Sequence, residues 1–204
     1  MTRVPPSVLT TSLPGIGRPL TNSEAVHLEK YLDLLTKWQG SHRLVGSTKP
    51  RWLIDNIFLD SLGFLEVLPP AIQQLADIGS GAGVPGIPIA IVRPDLELTL
   101  IEARQRRVSF LSTAIRELGL SHVQVVGARV ETLEQNYGGR FDAIVMRCAG
   151  DLNAMLPHVL PLLRRGGAVV ASAGPSRKAP SGGEVLTVRT YAGQPRGFVR
   201  YFKP

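Results

Sequence analysis

The stretch Leu75-Ala76-Asp77-Ile78-Gly79-Ser80-Gly81-Ala82-Gly83-Val84-Pro85-Gly86 decides the fold of this chain. Its apolar beginning is typical of a buried strand, and its spaced glycines predict a tight loop that opens a helix. Glycine lets main-chain atoms approach a ligand without a Cβ in the way, and the amides that open a helix can face a carboxylate or phosphate. Because ligands of parallel sheets bind beyond the carboxyl ends of the strands, this stretch predicts a ligand site.

Strand-like and helix-like runs alternate from residue 71 onward, with short turns between them. This alternation implies right-handed crossovers and a doubly wound, mostly parallel α/β sheet of the Rossmann-like kind. The predicted strands are Gln74–Ile78, Leu98–Ile101, Val123–Val126, Phe141–Met146 and Ala168–Ala171. The predicted helices are Val84–Val92, Arg104–Leu118, Arg129–Gln135 and Asp151–Leu163.

The last part of the sequence has a different pattern. Glu184–Tyr191 and Phe198–Phe202 resemble two strands, and the segment between them contains the glycines and proline of a turn. They predict a hairpin that adds antiparallel pairing at the edge of the sheet. Ala173–Gly183 is rich in serine, glycine, proline and basic residues, which predicts a mobile loop.

The sequence before residue 71 predicts a helical extension over residues 20–70. Thr21 and Glu24 have the spacing of a capping box, and apolar residues follow at helical spacing. Pro50 suits the first position of a second helix. Residues 1–19 contain several prolines and no apolar run, so we expect a flexible arm there, and residues 71–204 form the third part.

Composition limits the classes of protein that this chain can represent. Its 204 residues are 44% apolar, which suits one globular domain with modest extensions. A single cysteine, Cys148, excludes an intramolecular disulfide and a four-cysteine zinc site. The four histidines lack the spacing of metal ligands, so no metal site is predicted. No run has the roughly 18 apolar residues that cross a bilayer, and together these features favour the cytoplasm.

The net charge of +7 is concentrated at one end of the sequence. Residues 151–204 hold eight Lys/Arg against two Asp/Glu, whereas residues 1–150 hold fifteen against fourteen. A basic segment on a neutral body suggests a polyanionic partner such as RNA, although it is also compatible with a solvated basic surface. The residues we predict to contact RNA phosphates are Lys37, Arg43, Arg51, Arg177, Lys178, Arg196 and Arg200.

The glycine loop allows two cofactors. Gly79-Ser80-Gly81-Ala82-Gly83 has the pattern usual in S-adenosylmethionine sites, but Gly81 through Gly86 also satisfies the dinucleotide pattern G-x-G-x-x-G. Glu102, at the end of the next strand and 19 positions after Gly83, is placed to accept hydrogen bonds from ribose hydroxyls in both cases. Three features favour methyl transfer. Asp77 stands two residues before the first glycine, the last part of the sequence predicts a hairpin, and few residues remain for the separate substrate domain that hydride-transfer enzymes usually carry.

Two further positions follow predicted strands and therefore lie at the same edge of the sheet. Glu131 comes after the third strand, where such loops border an adenine, although an acidic residue in the first turn of a helix explains it equally well. Arg147 comes directly after the fourth strand, at the mouth of the predicted crevice. We expect it to contact the cofactor or substrate, and a surface salt bridge is the alternative.

At this point the sequence resembles a known family over residues 31–175, the bacterial glucose-inhibited division protein B family, RsmG. Its members methylate guanine N7 in 16S ribosomal RNA, so the resemblance implies a class I methyltransferase fold and S-adenosylmethionine as cofactor. The matching stretches are Lys37-Trp38, Phe58–Leu62, Asp77–Pro88 and Phe141–Ala149. The cofactor residues that it implies are Gly79, Val84, Glu102, Val130, Glu131 and Arg147.

The sequence departs from the family pattern at three places that lie nearer the substrate than the cofactor. Family members usually have Asn-Leu-Thr at Arg43-Leu44-Val45, histidine at Ile57 and Lys-Gly at Ala173-Gly174. We therefore expect a monomeric guanine-N7 methyltransferase of 16S RNA or the small subunit, with Arg147 as its catalytic candidate. The alternatives are a methyltransferase of another RNA or a small molecule, a nicotinamide oxidoreductase, or a non-catalytic RNA-binding relative.

Overall fold

The computed structural model describes residues 3–147, 151–173, 179–191 and 193–204, without the side chains of Ser41 and His42. Within these residues seven strands form one sheet in the order β3-β2-β1-β4-β5-β7-β6. The strands are β1 (Gln74–Ile78), β2 (Glu97–Ile101), β3 (Val123–Val126), β4 (Phe141–Met146), β5 (Leu163–Ala173), β6 (Gly183–Arg189) and β7 (Pro195–Phe202).

The sheet has a parallel part and an antiparallel part, as the sequence predicts. Strands β3, β2, β1, β4 and β5 are parallel neighbours, and β1, buried from Leu75 to Ile78, lies in the middle of them. The predicted C-terminal hairpin is confirmed, but only one of its strands is at the edge. Strand β7 pairs antiparallel with both β5 and β6, so β6 is the edge strand.

Helices cover both faces of the sheet and extend before it. They are α1 (Pro6–Thr10), α2 (Asn22–His42), α3 (Pro50–Leu53), α4 (Asp60–Leu62), α5 (Gly86–Val92), α6 (Gln105–Leu118), α7 (Glu134–Tyr137) and α8 (Leu152–Val159). Tighter 3₁₀ turns follow α4 at Gly63–Glu66 and α8 at Leu160–Leu162, and a third lies at Val130–Thr132. Among the described residues no helix is long and apolar enough to cross a bilayer.

Several predicted boundaries are wrong for local reasons. Helix α5 begins at Gly86 and not at Val84, because the glycine loop continues through Pro85. The predicted helix Arg129–Gln135 is a 3₁₀ turn followed by the four residues of α7. Strand β5 begins at Leu163, five residues before the predicted start, because its glycine pair at 166–167 forms an irregularity inside the strand.

The predicted flexible arm is packed against the body of the protein. Val4, Val8 and Leu13 are buried in the main core, and the Val4 amide donates a 2.8 Å hydrogen bond to the Glu29 carboxylate. The apolar side chains of this segment become buried only by packing against α2. The sequence of the segment alone does not show that contact, so it predicts a flexible arm. The three-part division of the chain itself stays a prediction.

Helix α2 begins with the predicted capping box and carries the predicted buried stripe. The Thr21 hydroxyl accepts from the Glu24 amide and the Glu24 carboxylate accepts from the Thr21 amide. Tyr31 and Leu35 are fully buried, and Trp38 meets the Phe110 ring of α6 edge-on at 5.7 Å. The helical extension therefore shares one core with the sheet.

The second helical segment changes its geometry in the middle. Helix α3 runs directly into a wide π turn at Ile54–Leu59, which continues into α4. The predicted second helix does begin at Pro50, but the sequence pattern does not indicate the wide turn that follows it. Wide turns of this kind are frequent at functional sites, since they displace backbone and side-chain groups from regular helical positions. Here the turn presents the Asn56 carbonyl and Asp60 to the carboxyl end of β4.

Candidate functional site

The glycine loop between β1 and α5 is held in place by main-chain hydrogen bonds. The amides of Gly79 and Ser80 donate to the Ile101 carbonyl at 2.8 and 3.1 Å, which ties the loop to the end of β2. The Ser80 hydroxyl also donates to the Asp77 carbonyl at 2.8 Å. The loop is therefore fixed at the edge of the sheet where the carboxyl ends of β1 and β2 meet.

The glycines of this loop serve different purposes. Gly79, Gly81 and Gly83 all have positive φ, at 72°, 59° and 85°, a conformation that favours glycine. A Cβ on Gly79 would point into open space, with no heavy atom within 4 Å. A Cβ on Gly83 would lie 2.5 Å from the Ile87 side chain. Gly79 thus faces the crevice, and Gly83 faces the core.

Two cavities meet at Gly79. The first, of about 210 Å³, lies toward the ends of β2 and β3, and the second, of about 270 Å³, lies toward the π turn and β4. The first is lined by Ile78, Gly79, Ile101, Glu102, Ala103, Ala128, Arg129, Val130, Glu131 and Met155. The second is lined by Leu44, Val45, Gly46, Trp52, Ile57, Gly79, Ser80, Gly81, Ala82, Val84 and Arg147.

Glu102 lies in the wall of the first cavity and braces the loop. Its side chain is 6% exposed, and its two oxygens accept from the Gly81 amide at 3.0 Å and the Arg104 amide at 2.8 Å. The Arg107 guanidinium lies 3.8 Å away. Because each carboxylate oxygen has two lone pairs, Glu102 keeps capacity to accept from a ligand in the cavity.

Asp77 is buried under the loop and lines neither cavity. One of its oxygens accepts a 2.9 Å hydrogen bond from the Gly86 amide at the start of α5. Burial raises the pKa of the Asp77 carboxyl to about 7, against the opposing effect of that hydrogen bond. Nearby, the buried Tyr31 hydroxyl donates to the Ala82 carbonyl at 2.8 Å, so α2 also supports the loop. Asp77 and Tyr31 hold the loop from behind.

Arg147 is placed in the wall of the second cavity by oxygens of the helical segment. Its Nη2 donates to the Asn56 carbonyl at 2.7 Å and lies 3.3 Å from an oxygen of Asp60. Its Nη1 is buried and finds no hydrogen-bond partner among the described residues. A buried guanidinium N–H without an acceptor is costly, so this position suits a ligand with an acceptor group.

The structure brings most of the predicted cofactor residues together. Gly79, Gly81, Val84, Glu102, Val130, Glu131 and Arg147 line one or both cavities, whereas Asp77 and Gly83 do not. Two positions that depart from the family pattern, Val45 and Ile57, line the second cavity beside Arg147. The described residues contain no group of three side chains that could hold a metal ion.

The predicted RNA-contacting residues differ in whether they already form ion pairs within the protein. Lys37 and Arg43 are exposed, whereas Arg51 forms a 2.6 Å ion pair with Asp55. Arg196 pairs with Asp60 at 2.8 Å, and Arg200 pairs with Glu184 at 2.7 Å. A phosphate at the last three would have to share or replace an existing carboxylate. The remaining two predicted residues, Arg177 and Lys178, lie outside the described residues.

The sequence alone does not indicate that Asp60 or Tyr31 belongs to the site. Asp60 belongs to a stretch that is otherwise mostly apolar, and it is buried. A carboxylate in an apolar helical segment is a signal for a buried charged partner, because an unpaired buried charge is strongly unfavourable. Tyr31 stands in the apolar stripe of α2, and nothing in that pattern indicates that its hydroxyl reaches the loop.

Comparisons with known proteins agree on a family. The family model described as rRNA small subunit methyltransferase G matches residues 24–181. Proteins named ribosomal RNA small subunit methyltransferase G are 38% identical to this chain in Desulfitobacterium hafniense, over 71% of this chain and 60% of that protein, and in Sorangium cellulosum, over 81% and 71%. The chain thus spans less than two thirds of the first of these relatives.

Solved structures share the fold at low sequence identity. A SAM-dependent methyltransferase from Aquifex aeolicus superposes with a TM-score of 0.57 at 15% identity, over 76% of this chain and 94% of that protein. This similarity shows the fold alone and carries no information about the substrate.

Proposed function

The chain belongs to the rRNA small subunit methyltransferase G family, and on that basis we propose that it transfers a methyl group from S-adenosylmethionine to guanine N7 of 16S ribosomal RNA. The proposed substrate is the RNA or the small ribosomal subunit, which assigns the reaction to the cytoplasm. We also propose that the protein acts as a monomer.

The observation that carries the proposal is the open position at Gly79 between two cavities. Together their volumes fall within the range of about 300–1,000 Å³ that is usual for small-molecule sites. One cavity has a carboxylate, Glu102, at its wall, and the other is lined by Arg147, whose Nη1 has no hydrogen-bond partner among the described residues. An elongated ligand with hydroxyl groups at one end and a carboxylate at the other suits these two walls.

S-adenosylmethionine has those groups, and when bound it supplies an electrophilic methyl group. Glu102 would accept from the ribose hydroxyls, and Val130 and Glu131 would border the adenine in the first cavity. Arg147 would donate to the carboxylate of the methionine part, beside Gly81 and Val84. These residue types therefore fit the cofactor that the family implies.

The chemistry of guanine N7 requires little from the protein beyond alignment. N7 carries a free lone pair at neutral pH, so no general base is needed, and the sequence contains no paired-carboxylate signature or Ser/His/Asp group that would indicate one. The apolar side chains of Leu44, Val45, Trp52 and Ile57 line the second cavity and would exclude water from it. Alignment of two reactants can contribute about 7–11 kcal/mol in ideal intramolecular cases.

RNA binding would begin at exposed basic residues. Lys37 and Arg43 are exposed on and just after α2, and Arg43 is next to the Leu44-Val45 wall of the second cavity. Contacts of Lys and Arg with phosphates position the nucleic acid more than they select its sequence. They make the affinity fall steeply as the salt concentration rises.

The decisive experiment maps the methylated position. The purified protein is incubated with labelled S-adenosylmethionine and unmethylated 16S RNA, as free RNA and as assembled small subunits, and the label is located by digestion and mass spectrometry. We expect a single 7-methylguanosine. Label on another atom or another RNA would refute the target.

A variant of the loop tests the cofactor site in the same assay. Gly81→Asp adds a Cβ 3.5 Å from the Arg107 guanidinium and a negative charge to the loop that lines the second cavity, and it should abolish binding of adenosylhomocysteine. The matched control is Gly139→Asp, because Gly139 also has positive φ, at 67°, with no atom within 4 Å of its Cβ position. Undiminished binding by the Gly81 variant would contradict the site.

A further inference from the structure

One carboxylate joins two arginines from distant parts of the chain beside the second cavity. An oxygen of Asp60 lies 2.8 Å from Nε of Arg196, and the other lies 3.0 Å from Nη2 of Arg196 and 3.3 Å from Nη2 of Arg147. Asp60 is only 7% exposed. The cluster therefore connects the helical extension, the end of β4 and the start of β7.

The π turn explains how Asp60 reaches this position. The turn Ile54–Leu59 ends directly before Asp60, and its own Asn56 carbonyl accepts from the same Nη2 of Arg147. Two oxygens from one short segment thus hold one end of the Arg147 guanidinium. The other nitrogen, Nη1, is left without a partner among the described residues.

The charges explain why this arrangement depends on Asp60. Arg147 and Arg196 contact the same carboxylate, so without it two guanidinium groups would repel each other in a largely buried place. Arg147 has 18% of its side chain exposed, and the Asn56 carbonyl alone cannot neutralise its charge. We expect Arg147 to turn toward solvent when the carboxylate is removed.

We propose that Asp60 is a positioning residue that holds Arg147 in the wall of the second cavity and thereby sets the affinity for the methyl donor. It acts through Arg147 and lines neither of the two cavities that meet at Gly79. The inference rests on the proposed cofactor site but not on the RNA target. Failure of this inference can be distinguished from a wrong RNA target, because adenosylhomocysteine binding is measured without any RNA.

The test is a double-mutant cycle read by calorimetry with adenosylhomocysteine. Asp60→Asn removes the charge at nearly constant volume and should weaken binding about 10- to 100-fold, the range expected for loss of a charge-assisted hydrogen bond that orients a ligand contact. In a protein that already carries Arg147→Met, the same substitution should change the affinity less than about 2-fold. A merely structural role would give multiplicative losses in the two backgrounds.

Asp142 provides a matched control. It is 5% exposed, pairs with Arg164 at 2.9 Å and accepts from the Gln73 and Gln74 amides at the opposite end of the sheet. Asp142→Asn should lower the melting temperature and leave adenosylhomocysteine affinity within about 2-fold of the wild type.

Three results would overturn the proposal. They are unchanged affinity in Asp60→Asn, an equal loss in the Arg147→Met background, and an equal loss in Asp142→Asn. If Asp60→Asn does not fold, the cycle is run with Asp60→Glu, which keeps the charge but displaces it, and its smaller penalty must again vanish when Arg147 is Met. If the wild type itself binds no adenosylhomocysteine, the proposed function fails instead.

Discussion

Gly79→Ala tests whether the meeting point of the two cavities is where the methyl donor binds. Gly79 has φ of 72°, and the added methyl group would enter space with no heavy atom within 4 Å. The fold therefore loses only the cost of a left-handed alanine, about 1–2 kcal/mol. A ligand that spans both cavities meets an obstructing methyl group, and overpacking of one such group costs about 1–3 kcal/mol, or about 5- to 150-fold in affinity.

Gly166→Ala is the control for backbone strain. Gly166 also has φ of 72° with no heavy atom within 4 Å, and it lies inside β5, near its start and away from the loop. Calorimetry with adenosylhomocysteine and thermal unfolding are measured for both variants. We expect similar losses of stability, and a loss of affinity in the Gly79 variant alone. Full affinity in Gly79→Ala, or equal losses of affinity in both variants, would refute the placement.

Three further predictions concern the support of the loop and the RNA surface. Asp77→Asn should remove a pH dependence of stability. The folded pKa of Asp77 is about 7, above that of an unfolded aspartate, so the wild type is most stable at acid pH. Its free energy of unfolding should fall by up to about 4 kcal/mol as pH rises from 4 to 7, measured by urea unfolding across that range. A parallel pH profile in the variant would count against this assignment. Tyr31→Phe removes the hydrogen bond to the Ala82 carbonyl and should cost about 1–3 kcal/mol in thermal unfolding, because a buried acceptor is left unpaired; an unchanged melting temperature would contradict that contact. Arg43→Gln should weaken binding to unmethylated 16S RNA and reduce the magnitude of its logarithmic salt slope by about 1 in filter binding, and an unaltered slope would argue against a phosphate contact there.

The parallel strands could be predicted from the sequence because each is a short apolar run followed by a polar or glycine-containing turn. Strands β1, β3 and β4 have the predicted bounds. Strand β5 was harder because the glycine pair near its start resembles a break between elements. The prediction of a flexible N-terminal arm is wrong because Val4 and Val8 are buried against α2, a contact that no local sequence pattern contains.

In the candidate site, too, local sequence patterns predict some features, whereas others depend on contacts between distant parts of the chain. The pattern of the glycine loop indicates a ligand site, but it does not reveal that Gly79 faces the crevice while Gly83 faces Ile87. That difference depends on the direction of each missing side chain. Asp60 and Arg196 are 136 positions apart, so their contact follows only from the assembled sheet. The prediction that Arg196 binds phosphate considered its charge and could not include its carboxylate partner.

The position of β7 has a consequence for the order in which the strands can pair during synthesis. Strand β6 is synthesised first, yet it reaches the rest of the sheet only through β7, which lies between it and β5. During synthesis, β1 to β5 can pair as they leave the ribosome, but β6 must wait until residues 195–202 have emerged. A nascent chain that stalls before that point would present the unpaired margin of β5 to its surroundings, together with a detached β6.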